Sequence, residues 1–223
     1  MKIDTHTHTS GVSFCSHVPP KEYVQALKAA GYDAVILTNH YSRQYMFRYG
    51  DTFDQQIAIY LNEYRTAKRE GEQIGLPVFL AAEVAIATPQ SPYIEFLLYG
   101  ADEDFFLNNP ALYDQSQRKL YKICHDNGVL MFQSHPFRSE QGHLPMDPEF
   151  MDGTEINMHP FFLGKEEQTR EFADKHGLAL ICGSDFHSLP QAGSATTIVP
   201  EPLASVKDFA DYIRKNPRPQ IRF

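Results

Sequence analysis

The sequence predicts an α/β fold with a largely parallel sheet. Short apolar runs alternate with longer amphipathic stretches along the 223 residues, as in repeated strand–helix units. No internal repeat, low-complexity tract or Gly/Ser-rich linker interrupts the alternation, so we expect one domain over residues 1–223. Six or seven such units are slightly few for a complete eight-fold barrel, which typically needs about 250 residues. The sequence therefore predicts a contracted or distorted barrel.

In the first half of the chain, apolar runs predict strands and amphipathic stretches predict helices. The clearest helix has prolines at its start, apolar side chains at helical spacing and Gly31 as its stop. The run AVILT that follows has the composition of a buried strand. We expect a strand at Met1–Asp4, a helix at Pro19–Ala30, a strand at Ala34–Thr38, a helix from about Phe53 to Ile74, a strand at Val78–Ala87 and a candidate hairpin partner at Tyr93–Tyr99.

The second half continues the same alternation. Gly128 ends one amphipathic stretch, and a new apolar run begins directly after it. We expect a helix at Leu112–Asn127, strands at Val129–Gln133 and Thr154–Asn157, a helix at Lys165–His176, strands at Leu178–Cys182 and near Thr196–Val199, and a final helix at Ser205–Lys215.

Composition excludes several classes of protein. The 20 Lys and Arg against 28 Asp and Glu give a net charge of −8, which makes nucleic acid a second-choice partner. No apolar run approaches the roughly 18–20 residues that cross a bilayer, and the polar start MKIDTHTH is unlike a signal peptide, so no membrane partner is expected. Three scattered cysteines do not make a disulfide framework, which favours the cytoplasm.

Residues that bind metals gather directly after the apolar runs. They are His6 and His8 after the first run, His40 after AVILT, His135 after GVLMF, and Asp185 and His187 after LALIC. Because α/β sheets place their sites at the carboxyl ends of strands, these side chains are expected to meet. In an extended segment, residues i and i+2 point to the same side, so His6 and His8 can hold one ion. The pattern predicts a shared metal centre.

Glu83 is the one charged residue in an otherwise apolar predicted strand, between Ala82 and Val84. Burying an unpaired carboxylate costs several kcal/mol, so this acid needs a cation as its partner. The most economical partner is the same metal centre.

These motifs resemble those of the PHP (polymerase and histidinol phosphatase) family of metal-dependent phosphoesterases. The matching segments are DTHTH (4–8), TNH (38–40), the isolated acid Glu83, SHP (134–136) and GSDFH (183–187), in family order. The resemblance implies a distorted seven-stranded β/α barrel with two or three divalent ions at the carboxyl rim of its strands. By that likeness, His6, His8, Glu83 and Asp185 hold one ion, Glu83 and His135 hold a second, and His40 and His187 serve a third.

Two departures from the family pattern concern candidate metal ligands. The family often has a further His shortly after HxH, where this chain has Phe14 at the commonest spacing. Cys15 and His17 are the candidate replacements. Many members also carry a His between the Glu and SHP motifs, where this chain offers Glu95, either as a ligand for a hard ion or as a surface residue.

Mixed His and carboxylate ligands suit Zn²⁺, Mn²⁺ or Fe²⁺. With no Ser, Cys or Thr nucleophile beside a base, we expect water activated by the ions to hydrolyse a small phosphomonoester. Arg138 and Arg43 are placed in rim loops to bind its phosphate, and His159 is a further candidate substrate contact. His187 or Asp185 could protonate the leaving alkoxide.

Three alternatives stay open from the residues alone. A nuclease of the same family would need a groove for bases, and the aromatic-rich loop Tyr41–Phe53 could stack them. A metal-dependent amidohydrolase also opens with HxH, but it generally has a bridging Lys where this chain offers Glu83. A non-catalytic metal-binding regulatory domain is the third alternative.

Overall fold

The computed structural model describes residues 1–89, 91, 93–138 and 143–223. Its strands are β1 (Lys2–Thr7), β2 (Ala34–Leu37), β3 (His40–Tyr41), β4 (Val78–Leu80), β5 (Glu83–Ile86), β6 (Ile94–Tyr99), β7 (Leu130–Gln133), β8 (Gly153–Asn157), β9 (Ala179–Gly183), β10 (Thr196–Ile198) and β11 (Gln220–Arg222). Its α-helices are α1 (Pro20–Ala29), α2 (Arg43–Met46), α3 (Phe53–Gln73), α4 (Glu103–Asn108), α5 (Gln117–Asp126), α6 (Glu166–His176) and α7 (Val206–Lys215).

The strands form two mixed sheets, in the orders β11-β10-β1-β2-β4 and β3-β5-β6-β7-β8-β9. The pairs β1–β2, β2–β4, β3–β5, β7–β8 and β8–β9 are parallel, as expected for an α/β fold, while β6 runs antiparallel to both of its neighbours. The two sheets approach each other at a parallel bridge between Thr7 and Phe186. The α/β class is confirmed, and closure into a seven-stranded barrel stays a prediction.

The long strand predicted at Val78–Ala87 is wrong, because the chain changes sheets in its middle. β4 pairs with β2 in one sheet, whereas β5 pairs with β3 and β6 in the other. Ala81 and Ala82 make the transition between them. The hairpin partner of this segment is confirmed, since Glu83 stands opposite Leu97 in the β5–β6 ladder. Glu83 therefore begins a strand next to His40 of β3.

Helix bounds follow local capping chemistry. The helix predicted at Leu112–Asn127 is wrong in its first turn, because a short 3₁₀ turn at Leu112–Asp114 precedes α5 and the Ser116 side chain caps α5 by accepting from the Lys119 amide. The short helices α2 and α4 were not predicted; Ser42 and Asp102 cap them.

The core lies on both faces of the sheets and leaves a polar cluster at their strand ends. Tyr60 and Phe106 are fully buried in the part of the core near α3, and Tyr99 packs against Phe209 of α7 with ring centroids 5.2 Å apart. Each such fully buried aromatic side chain contributes about 2–3 kcal/mol through its buried area. Among the described residues, no helix combines the length and apolar character that a membrane span requires.

Candidate metal centre

The strand ends bring the residues predicted from the motifs into one buried cluster. β1 continues through Thr7, so His6 lies inside the strand and not after it as predicted. His40 lies in β3 and Glu83 begins β5, side by side in the parallel ladder. His135 follows β7, and Asp185 and His187 follow β9. The side chains of the motif residues His6, His8, His40, Glu83, His135 and Asp185 are buried, and His187 is partly exposed.

The first group consists of His6, His8, Glu83 and Asp185. Nε2 of His6 lies 3.3 Å from Oε1 of Glu83 and 3.3 Å from Oδ1 of Asp185. Nε2 of His8 lies 3.1 Å from the same Asp185 oxygen and 3.5 Å from Oε2 of Glu83. The two Nε2 atoms are themselves 3.0 Å apart. Two imidazoles and two carboxylates thus converge on one small volume.

The fold holds the other ring nitrogen of three histidines away from this volume. Nδ1 of His6 contacts Oε1 of Glu155 at 2.7 Å, and Nδ1 of His187 contacts the backbone carbonyl of Asp185 at 2.8 Å. Nδ1 of His8 lies 3.3 Å from the Ser13 hydroxyl. A proton on each Nδ1 leaves the Nε2 lone pair free, which is the tautomer that a metal ligand needs.

A second group approaches the same two carboxylate oxygens of Glu83 and includes Glu95. Glu95 is 1% exposed, so it is not the surface residue that the sequence left open. Nε2 of His135 lies 3.1 Å from Glu83 and 3.3 Å from Oε2 of Glu95. Nδ1 of His40 lies 2.9 Å from Oε2 of Glu83 and 3.3 Å from Oε1 of Glu95. Glu83 therefore stands between the two groups.

A third group lies at the exposed edge of the cluster. His8, His40 and His187 place ligand nitrogens within 4.8 Å of one another. Sγ of Cys15 lies 3.2 Å from Nε2 of His40 and 3.1 Å from Nε2 of His187. Of the two candidate replacements in this loop, Cys15 therefore reaches the cluster, whereas His17 is exposed and lies outside the donor groups found among the described residues.

The donor set fits divalent ions, because it leaves buried polar atoms unsatisfied. Among the residues that the structure describes, Oε2 of Glu83, Oε2 of Glu95, Oδ1 of Asp185 and Nδ1 of His40 are buried and have no hydrogen-bond partner. His40 and Glu83 come within 2.9 Å yet are not oriented for a hydrogen bond. Such close, unbonded donor atoms are costly by themselves and are what ligands of a common cation require.

The charges of the cluster are strongly coupled. Burial alone lowers the pKa of His6, but the Glu155 and Asp185 carboxylates hold that pKa well above its usual value. Burial alone raises the pKa of Glu83, but the nearby His6 holds it well below its usual value. Burial also keeps the pKa of His8 well below the ordinary range, so His8 is neutral. A positive charge on His6 thus balances part of the negative charge of the carboxylates. Bound divalent cations would take over this role.

Two residues of the cluster have an unusual backbone conformation. His135 and Asp185 have positive φ values of 31° and 53°, in the left-handed region that disfavours side chains. Next to Asp185, a Cβ on Gly183 would stand 2.4 Å from Cβ of His6 and 2.8 Å from Glu155. The close approach of β9 to β1 therefore requires glycine at this position.

Comparison with known proteins identifies the fold. Residues 165–217 match a family model described as PHP-associated. No curated protein matches the sequence significantly. PsfC from Pseudomonas syringae aligns over 94% of this chain and 87% of its own, with 17% identity and a TM-score of 0.66.

Two further similar structures are of proteins with a predicted phosphoesterase activity. A two-domain protein from Bacteroides vulgatus, containing a predicted PHP-like metal-dependent phosphoesterase, aligns over 100% of this chain with 18% identity and a TM-score of 0.66; the chain spans 64% of its length. A predicted metal-dependent phosphoesterase from Bifidobacterium adolescentis aligns over 96% of this chain and 94% of its own, with 15% identity and a TM-score of 0.57. The PHP resemblance is confirmed. At these identities the solved structures establish a shared PHP fold.

A cavity of about 1200 Å³ opens over the cluster of this PHP fold. Arg138 lines it, with Nη1 3.8 Å from Oε2 of Glu95 and its guanidinium 4.4 Å from the Phe162 ring centroid. Arg43 lies at the rim, 62% exposed and ion-paired with Asp114. The half-buried His159 ring also lines the cavity.

Two buried residues of the centre were missed by sequence reasoning. Glu155 contacts His6, and it shows the signal that singled out Glu83, an acid inside a predicted strand. His143 belongs to none of the sequence motifs, yet it is buried beside Glu95 and His135. No local pattern distinguishes His143, because only the tertiary fold brings it to the cluster.

Proposed function

We propose that the protein is a metal-dependent phosphoesterase that hydrolyses a small phosphomonoester at this cluster. The observation that carries the proposal is the convergence of His6 and His8 on Glu83 and Asp185. Carboxylate oxygens of this cluster are buried and have no hydrogen-bond partner within the described part of the chain. Apolar packing would not keep such a set of donors, since each unsatisfied atom costs about 1–3 kcal/mol.

We assign the donor residues to two or three ions. His6, His8, Glu83 and Asp185 would hold one ion, Glu83, Glu95 and His135 a second, and His40 and His187 a third. Imidazole and carboxylate donors together suit Zn²⁺, Mn²⁺ or Fe²⁺. Such ions lower the pKa of water towards neutrality and polarise phosphoryl oxygens.

The remaining residues bind and orient the phosphate. Arg138 presents its guanidinium to the cavity directly beside Glu95, where it would bind phosphoryl oxygens. His159 lies next to the His187 ring, with centroids 5.6 Å apart, and would contact the alcohol part of the substrate. With only two ions bound, His187 would give the proton to the leaving alkoxide. Asp185 would stay ionised, because burial alone raises its pKa but His6 and His187 hold that pKa well below its usual value.

The cavity favours a small substrate over a nucleic acid strand. The nuclease alternative relied on the aromatic loop Tyr41–Phe53, but Tyr41 and Tyr49 are buried in the core and do not offer faces to bases. Tyr45 does line the cavity, and Phe47 is exposed. The cavity volume of about 1200 Å³ lies just above the range of about 300–1,000 Å³ that is typical of small-molecule sites.

The test is phosphate release by chelator-treated protein resupplied with Mn²⁺ or Zn²⁺. The probes are p-nitrophenyl phosphate, its bis-ester and a short single-stranded oligonucleotide. We expect turnover of the monoester, dependent on metal and reduced to background in His6→Ala and Asp185→Asn. The matched control is His125→Ala, an exposed position on α5.

Full activity in either cluster variant would contradict the proposed centre. Preference for the oligonucleotide would assign the nuclease reaction instead. Metal binding without turnover of any probe would support the non-catalytic alternative.

A further inference from the structure

His143 lies beside Glu95 and His135 in the second donor group. Each of the three side chains offers one ligand atom, and these atoms lie within 4.8 Å of one another. Ligands of one divalent ion have bonds of about 2 Å and therefore stand roughly 3–4.5 Å apart. His143 is 1% exposed, like Glu95. The spacing and the burial both fit donors around a single ion.

Buried polar atoms of this group lack a hydrogen-bond partner among the described residues. Nδ1 of His143 is buried and has no hydrogen-bond partner among the described residues. Oε2 of Glu95, in the same group, also lacks one. Leaving one buried polar atom unsatisfied costs about 1–3 kcal/mol, and here a ring nitrogen and a carboxylate oxygen are left together. A cation between them would satisfy both atoms.

Packing alone does not explain the position of His143. Its ring lies 5.2 Å from the His135 ring and 6.5 Å from the Tyr93 ring, measured between centroids. Its backbone amide donates to the Arg138 carbonyl at 3.1 Å, which fixes the chain close to the cavity. An apolar ring of similar size would pack equally well there and would leave no ring nitrogen unsatisfied.

We propose that His143 is a ligand of the second ion, together with Glu95 and His135. The proposal rests on the proposed function, since both require the cluster to bind ions. With His143 as a ligand, the second ion would have two imidazole donors, from His135 and His143, beside the carboxylate of Glu95. Two imidazoles favour Zn²⁺, Mn²⁺ or Fe²⁺ over Mg²⁺ here.

The test measures metal binding directly, on full-length protein stripped with a chelator. Zn²⁺ stoichiometry is measured by elemental analysis after dialysis, and affinity by competition with a chromophoric chelator. We expect His143→Ala to lose one Zn²⁺ per chain or to weaken one class of sites about tenfold or more. The matched control, His125→Ala, keeps the stoichiometry and affinity of the wild type.

A second measurement follows Zn²⁺ binding in the wild-type protein itself. Protein with ¹⁵N-labelled histidine is titrated with Zn²⁺, and the His143 imidazole signal, assigned with His143→Gln, is expected to shift at the equivalent that fills the second position. If the wild type binds no Zn²⁺, the proposed function fails. If it binds Zn²⁺ and turns over phosphomonoester while the His143 signal stays unmoved, or His143→Ala binds identically, only the role of His143 is overturned.

Discussion

Oε1 of Glu155 lies 2.7 Å from Nδ1 of His6, and both side chains are completely buried. A neutral imidazole has one N–H, and this contact places it on Nδ1. The Nε2 lone pair then remains for an ion that oxygens of Glu83 and Asp185 would bind as well. Oε1 of Glu155 also accepts a hydrogen bond from the side-chain amide of Asn157 at 2.8 Å, which holds the carboxylate in position. Glu155 therefore positions His6 without itself belonging to the proposed donor groups.

Replacing Glu155 should weaken metal binding more than it weakens the fold. We expect Glu155→Ala to lower Zn²⁺ affinity about 10–100-fold, because His6 loses its orientation, and Glu155→Gln to lose less, because its amide oxygen still accepts from Nδ1. Chelator competition measures the affinity. Glu171→Gln, an exposed change on α6, is the control. Wild-type affinity in Glu155→Ala would show that His6 needs no such partner.

Gly183→Ala should disturb the contact between β9 and β1. Its Cβ would meet His6 and Glu155 within 2.8 Å, so we expect a loss of about 1–3 kcal/mol of unfolding free energy, together with weaker Zn²⁺ binding. Gly177→Ala is the control, because its Cβ meets open space but its φ of 66° costs about 1–2 kcal/mol. Urea unfolding and chelator competition should separate the two, since only Gly183→Ala changes affinity.

Metal removal should lower thermal stability. Ions that bind only the folded chain stabilise it by about 2.7 kcal/mol at a concentration 100 times Kd, which is roughly 5–10 °C in Tm for a chain of this size. Differential scanning calorimetry with Zn²⁺ and with a chelator measures this shift. Asp185→Asn, which lacks one carboxylate charge of the first group, should show a smaller shift. An equal shift in both proteins would place the stabilising ion elsewhere.

Cys15 should be the reactive thiol of this protein. Burial alone raises its pKa, but hydrogen bonds from His187 and His40 lower that pKa to about 5, so the thiolate predominates at neutral pH and is lost only as the pH falls through 5. We expect iodoacetamide alkylation of Cys15, followed by mass spectrometry, to be flat between pH 7 and 9 and to slow on adding Zn²⁺. Burial raises the pKa of Cys124 and Cys182, which should stay unmodified in the folded protein. A Cys15 rate that still climbs between pH 7 and 9 would indicate an ordinary thiol.

The two arginines proposed as phosphate contacts should differ in importance. Arg138 lies in the cavity beside Glu95, so we expect Arg138→Ala to raise KM about 10-fold or more through loss of a charge-assisted hydrogen bond. Arg43 already pairs with Asp114 at the exposed rim, so Arg43→Ala should change KM less than about threefold. Steady-state kinetics with the monoester that is hydrolysed fastest measures both KM values. Equal increases in KM would contradict the assignment of Arg138 as the main phosphate contact.

Much of the fold was predictable because local signals and tertiary structure agree. α3, for example, begins at Phe53 as predicted, since Thr52 and Gln55 form a capping box. The missed elements had weaker signals, such as the single cap Asp102 before a helix of six residues. The transition at Ala81 and Ala82 was not predictable, because nothing in an unbroken apolar run marks a change of sheet.

The candidate site was predictable where its residues follow strands in recognisable motifs. His6, His8 and Asp185 belong to such motifs, and strand ends bring them together. Glu155 was also predictable, because it is the single acid of a predicted strand, as Glu83 is. His143 carried no such signal, since its place beside Glu95 depends on how the chain folds back after β7.

At His135 and Asp185 the left-handed backbone opposes thermal stability to the proposed role of the two side chains as metal ligands. Each non-glycine residue held there costs about 1–3 kcal/mol, which glycine would recover. A library screened only for survival on heating without added metal should therefore accumulate glycine at both positions. A library screened for turnover should lose those same variants, because glycine offers neither an imidazole nor a carboxylate.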